Sequence, residues 1–266
     1  MKALILDAGF GTRLREDLDS YSGPHQEFVR GSIEKKPKGL VPVKLRAYER
    51  KPIASLQVQQ LLNAGIQLSD IYVQTNAIFY GDYLAWARDE GIPIENVFNN
   101  GVLDYEDRNE QAFDMISAIR RIGIDLPLFL FASDTLVFDE QDEVYDLSLV
   151  LESWAKNEDS HLVVYYKPEK AYNHGVVSVD EDSADNYPPI TNFRETPAGV
   201  ESGLVNASVY FLTVEKLREV LSYTGEWIKG RKGNVFESAK QGFRAVQATR
   251  RLDMGTLDDF LKENGL

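Results

Sequence analysis

The chain has 266 residues, 43% of them hydrophobic, enough to bury the core of one α/β domain spanning residues 1–266. A formal charge of -13 argues against a nucleic-acid partner, and no stretch approaches the ~20 apolar residues of a membrane span. The absence of cysteine excludes disulfides, zinc–thiolate sites and thiol catalysis.

The N-terminal MKALIL has one lysine and too short an apolar run for a secretory signal, so a cytoplasmic protein is expected. KALILD (Lys2 to Asp7) reads as a first strand, continuously apolar as a buried central strand is. A glycine-punctuated turn follows at once. Residues 14–36, with SYSGPHQEFVRG, show no regular pattern and are too long for an ordinary connection; a functional loop, a lid or partial disorder is expected there. Charge is uneven: Arg30, Lys35, Lys36, Lys38, Lys44, Arg46, Arg50 and Lys51 stand against only Glu34 and Glu49. Such a local basic segment suits a small anionic ligand.

IASLQVQQLLNAG (Ile53 to Gly65) is predicted to be an amphipathic helix closed by a glycine cap. DIYVQT is the next strand, FYGDYLAWARDE the next helix, Ile94 to Phe98 a short strand, and EQAFDMISAIRRIG a helix. PLFLFASD (Pro127 to Asp134) is a second strongly apolar strand, ending at an aspartate. Strand-like segments then crowd together: HLVVYYK, GVVSVD, ITNFRE and NASVYFL. Helices near Val214 to Tyr223 and Gly255 to Asn264 bracket a last strand, RAVQATR. Strands alternating with helices give an α/β protein with a parallel or mixed sheet, and the crowded second half adds a small antiparallel part.

The turn ILDAGFGTRLRED chooses among phosphate-binding designs. Gly9 and Gly11 are followed by Thr12, Arg13 and Leu14, so the third glycine of a dinucleotide fingerprint is missing. The lysine and spacing of a P-loop are absent too. A glycine turn remains, offering backbone N–H groups, with an arginine that can fork onto a polyphosphate. KPKGLVPV (Lys36 to Val43) then places Lys38 between two prolines, on a stiff backbone.

The pair GFGTRL … PKGLVPV resembles the signature of the sugar-1-phosphate nucleotidyltransferases, the NDP-sugar pyrophosphorylases: L-A-A-G-x-G-T-R-L, then P-K-x-L-x-P. The likeness continues in family order through KPIASLQVQQLLNAGI, FASDTLVFD, GVVSVDED … ITNFRETP, LVNASVYFL and RLDMGTLDDFL. It implies a three-layer α/β/α Rossmann-like fold with a central mixed, mostly parallel sheet. It also implies a Mg²⁺-dependent reaction joining a nucleoside triphosphate to a sugar-1-phosphate, with release of pyrophosphate. In that scheme Ala8, Gly9, Gly11 and Thr12 cradle the triphosphate and Arg13 meets the departing phosphates. Lys38 neutralises the reacting phosphates, Asp134 and Asp253 hold the metal, Asn99, with Asn100 beside it, stands where a base-reading residue is expected, and Glu195 and Asn206 bind the sugar phosphate. The base, the sugar and the oligomeric state stay open, and a homo-oligomer is compatible with the sequence.

Four departures stand out. Asp7 replaces a small residue, Ser133 a glycine, Thr196 the lysine of E-K-P, and residues 14–36 exceed the usual length. They keep open a catalytically silent homologue that binds a nucleotide sugar and regulates a partner enzyme. A glycosyltransferase would want D-x-D, and Asp134 and Asp139 have the wrong spacing for it.

Overall fold

A computed structural model describes residues 1–45, 50–223, 232–239 and 241–266. Arg46 and Glu49 of the basic segment therefore lie outside the described residues.

The sheet is organised around β1 (Lys2–Asp7), flanked in parallel by β4 (Ile71–Thr75) and β6 (Leu128–Ala132), with β5 (Val97–Asn99) parallel beyond β4. On the far side of β6 lies the long antiparallel β11 (Gly203–Leu212). Its first half also meets β9 (Gly175–Val179), which carries β10 (Ile190–Glu195) at the edge. β8 (Ser160–Lys167) pairs antiparallel with β11 and parallel with β12 (Phe243–Gln247). Among the described residues these nine strands form one mixed sheet. No helix of the described residues is long and apolar enough to cross a membrane.

Side-chain alternation along the strands explains the three layers. Ala3, Ile5, Phe129 and Phe131 face one cluster, which also holds Val58 and Leu61 of α3 (Ile53–Asn63), Tyr83 and Trp86 of α4 (Tyr80–Glu90), and Val150 of α6 (Ser148–Asn157). Leu4, Leu128 and Leu130 face the opposite cluster, with Met115 and Ile119 of α5 (Gln111–Ile122), Leu217 of α7 (Val214–Ser222) and Phe236 of α8 (Lys232–Ser238). A sheet buried on both faces needs apolar residues at every position of its central strands, which KALILD and PLFLFA supply.

Residues 14–36 correct the expectation of irregularity. They fold mainly as α1 (Thr12–Ser20) and α2 (Gln26–Ile33), and Leu14, Leu18, Val29 and Ile33 bury one turn apart in a third cluster. The cluster is completed by Leu252 and by Phe260 of α9 (Leu257–Asn264). The last strand is also corrected: β12 stops at Gln247, and a new strand, β13 (Arg250–Asp253), turns to pair antiparallel with β7 (Thr135–Phe138). A small ribbon, β2 (Pro42–Val43) with β3 (Lys51–Pro52), and helix α6 are elements that the sequence pattern does not announce.

Candidate active site

The carboxyl ends of β1 and β6 lie side by side: Leu6 stands opposite Ala132, and the Ser133 N–H donates to the Leu6 carbonyl at 3.0 Å. Open α/β sheets place their ligand crevices beyond such ends. The glycine turn leaves β1 here. Gly11 caps α1 with φ +65, a left-handed conformation that glycine adopts without steric cost, and a side chain there would press on the Lys38 stem at 3.4 Å. The turn and Lys38 are thus in contact, although 27 positions separate Gly11 from Lys38 in the chain.

Lys38 opens a short 3-10 turn (Lys38–Leu40) behind Pro37, and its Nζ donates to Asp134 Oδ2 at 3.1 Å. The unexpected acid Asp7 holds that turn. It is 4% exposed; its Oδ2 accepts the Gly39 N–H at 3.1 Å and the Tyr83 hydroxyl. Glycine is required at 39 because a Cβ would run into the Tyr83 hydroxyl and the Ser133 side chain. Burial pushes the Asp7 carboxyl up to about 6, against hydrogen bonds from Ser133, Tyr83 and Gly39 that pull it down. Asp7 thus pins the turn that carries Lys38.

The β7–β13 pairing brings the distant Asp253 to this place, with Asp253 opposite Thr135 and the Met254 N–H on the Asp134 carbonyl at 3.0 Å. Arg251, two residues earlier on the same strand face, is buried, pairs with Asp253 Oδ2 at 2.8 Å and donates to Thr135 Oγ1 at 3.1 Å. Burial raises the Asp134 carboxyl, but Lys38, Arg251 and Lys232 together draw it below its ordinary value. Burial raises the Asp253 carboxyl, Arg251 opposes that, the Asp134 charge adds to it, and the net shift is upward. Lys38 touches Asp134, and Asp134 in turn lines a hollow with Arg13 and Asp253, so these four side chains border one crevice.

The crevice has two chambers. The smaller, about 340 Å³, is lined by Ala8, Gly9, Gly11, Thr12, Lys38 and Asp134, and also by Phe10, Tyr105, Arg108, Gln111 and Asp114. The larger, about 570 Å³, is lined by Arg13, Glu195, Asn206, Arg251 and Asp253, among others. Gln111, Ala132, Asp134 and Lys232 border both. Asn206 sits at an irregularity in β11: its Oδ1 accepts the Ser208 N–H at 2.6 Å, and Ser208 holds a left-handed φ of 61. α8 packs against Glu195 so closely that any side chain at Gly233 would overlap its carboxylate.

Two of the expected site residues lie outside the smaller chamber. Asn99 lines neither chamber, because its Oδ1 accepts the Gly101 N–H and closes the turn after β5. Arg13, exposed on the first turn of α1, lines the larger chamber rather than the smaller. Thr196 lines neither chamber; it stands at a left-handed φ of 45, its N–H on the His174 carbonyl. Cations from elsewhere, Lys232 and Arg251, border the chamber beside it. Arg251 was findable from its i, i+2 relation to Asp253; Lys232 has no sequence signal.

No family model matches the chain, and no curated protein matches it. Solved structures do. A protein assigned as a glucose-1-phosphate thymidylyltransferase from Bacillus anthracis, in complex with a sucrose, superposes with a TM-score of 0.73 at 16% identity, covering 100% of this chain and 94% of that one. A UDP-glucose pyrophosphorylase complexed with UDP-glucose gives 0.68 at 17%, covering 99% and 97%. A UTP-bound UGPase from Acinetobacter baumannii gives 0.65 at 18%, covering 98% and 91%. The chain has the fold of the sugar-1-phosphate nucleotidyltransferases.

Proposed function

We propose that the chain is a nucleotidyltransferase that joins a nucleoside triphosphate to a sugar-1-phosphate, giving an NDP-sugar and pyrophosphate. The observation that carries this reading is the pair of chambers meeting at Asp134 and Lys232, with Lys38 and Asp253 at the junction. One chamber offers a glycine turn suited to a triphosphate, the other a polar hollow suited to a phosphorylated polyol.

The chemistry needs little more. An anionic oxygen of the sugar phosphate attacks the α-phosphorus in line, the bond to the β-phosphate oxygen breaks, and pyrophosphate leaves with the electron pair. The nucleophile is already ionised, so no strong base is required. Rate comes from positioning and from offsetting charge between two polyanions. Lys38 exchanges its contact with Asp134 for the α-phosphate, and Arg13, Lys232 and Arg251, which line the larger chamber, hold the sugar phosphate.

Asp134 and Asp253 fit a Mg²⁺ ion: two carboxylates, one from the turn between β6 and β7 and one from the end of β13, present hard oxygen donors beside the phosphate chamber. Among the described residues no cluster of three metal-ligating side chains exists, and magnesium commonly completes its shell with phosphate and water. When bound, the ion would neutralise charge building on the phosphates.

The test is a matrix of nucleoside triphosphates against sugar-1-phosphates and other phosphorylated alcohols, with Mg²⁺ present and pyrophosphate release as readout. Release confined to one or a few pairs is expected. Silence in every cell, with tight binding of a nucleotide sugar, would replace the transferase by a regulatory binding protein.

A further inference from the structure

The smaller chamber is lined by a carboxylate that the transferase chemistry does not use. Asp114, in the first turn of α5, is 5% exposed and lines this chamber. The Asn100 and Asn109 side-chain amides both donate to its Oδ1, at 3.1 and 3.0 Å. Among the described residues no bond is made to Oδ2, so one oxygen of a buried carboxylate is left for whatever fills the chamber. Asp7 lines the same space, yet its carboxyl is already engaged by three donors, from Gly39, Tyr83 and Ser133. Beside Asp114, Phe10 and Tyr105 meet edge to face with centroids 6.0 Å apart, and the Arg108 guanidinium lies 4.0 Å over the Tyr105 ring. Flat surfaces of this kind stack on a heterocycle.

An ionised carboxylate only accepts hydrogen bonds, and an acceptor facing it costs free energy. The bases differ sharply on this point. Guanine offers two adjacent donors, the ring N1–H and the 2-amino group. Uracil and thymine offer one N–H set between two carbonyl oxygens. Adenine and cytosine place a ring nitrogen lone pair beside their amino group. We propose that the nucleotide taken by this protein carries guanine, and that Asp114 is the residue that selects it. Asn100 and Asn109 clamp Oδ1 and fix the orientation of the reading oxygen. This assignment rests on the smaller chamber being the triphosphate site.

Equilibrium titrations of the full chain with GTP, ITP, UTP, TTP, CTP and ATP, with Mg²⁺ and without any sugar phosphate, test it. GTP is expected to bind tightest, about tenfold or more ahead of UTP, with ITP, which lacks the 2-amino group, in between. Asp114→Asn keeps the acceptor for Asn100 and Asn109 and turns the reading atom into a donor. GTP should weaken by about tenfold while UTP holds or improves, because a donor suits a carbonyl edge. A merely structural aspartate would weaken all six nucleotides alike, and that result overturns the proposal. Wild-type preference for any other base overturns it too while leaving the transferase reading intact, and the wild-type ranking suffices if the variant does not fold. Failure of every triphosphate to bind removes the nucleotide site itself, and the guanine assignment with it.

Discussion

Lys38 stands where the glycine turn, Asp134 and Asp253 meet, and its charge is what a transferring phosphate lacks. Lys38→Ala is expected to lower turnover by about 10²–10³ with the circular dichroism spectrum and unfolding curve unchanged, the usual loss for one electrostatic partner. Near-normal turnover would remove Lys38 from the reaction. Asp7 gives a different signal. Its carboxyl, raised from 3.8 to about 6 chiefly by burial, is protonated in folded and unfolded chains alike below pH 4. As pH rises through 6 the folded state alone is left with a buried charge, so the contribution of Asp7 to stability is complete below about 4 and lost above about 6. The window corresponds to about 3 kcal/mol. Asp7→Asn removes that slope: denaturant titrations at pH 4.5 and 7.5 should show the variant gaining on the wild type as pH rises. A constant difference between the two proteins would contradict the buried-charge account. The sequence marks Asp7 as odd but hides its purpose, since Gly39 and Tyr83, its partners, are remote along the chain.

Elements were legible in proportion to how local their cause is. The capping box of α9 is complete: Thr256 accepts from Asp259, Asp259 accepts from the Thr256 N–H, and the pattern T-x-x-D states this in four residues. Thr256→Ala should cost about 1 kcal/mol, a fall of about 2–4 °C in Tm for a chain of this size. α1 and α2 were obscure for the converse reason. Both begin at a left-handed residue, Gly11 or His25, with no side-chain cap, and charged residues surround the two leucines of α1. Packing makes them: Leu14, Leu18, Val29 and Ile33 bury against β13 and α9. Leu18→Ala should therefore destabilise the whole chain by about 2–5 kcal/mol in a single cooperative transition. A loss confined to local protection of residues 12–33 in hydrogen exchange would restore the picture of a loose lid. β13 was missed because RAVQATR reads as one strand running on to Arg250; only the pairing of Arg250–Asp253 with β7 shows that a second strand begins there.

At the scale of the molecule, the mixed sheet and its two helical layers follow from alternation and from apolar strands, both visible in the sequence. The site was half visible. Motif residues Gly9, Gly11, Thr12, Arg13, Lys38, Asp134 and Asp253 line one crevice, and Arg251 follows from its place two residues before Asp253, whereas Lys232 and Asp114 enter it through topology that no local pattern encodes. In a chain of net charge -13, Arg13, Lys38, Lys232 and Arg251 are gathered in this one crevice. The most direct measurement follows the phosphates themselves, with triphosphate labelled at the α or γ position, Mg²⁺ and the sugar-1-phosphate partner. The account expects the α label in a nucleotide–sugar product and the γ label in pyrophosphate. An α label ending in free nucleoside monophosphate, or a γ label released as orthophosphate, would contradict it.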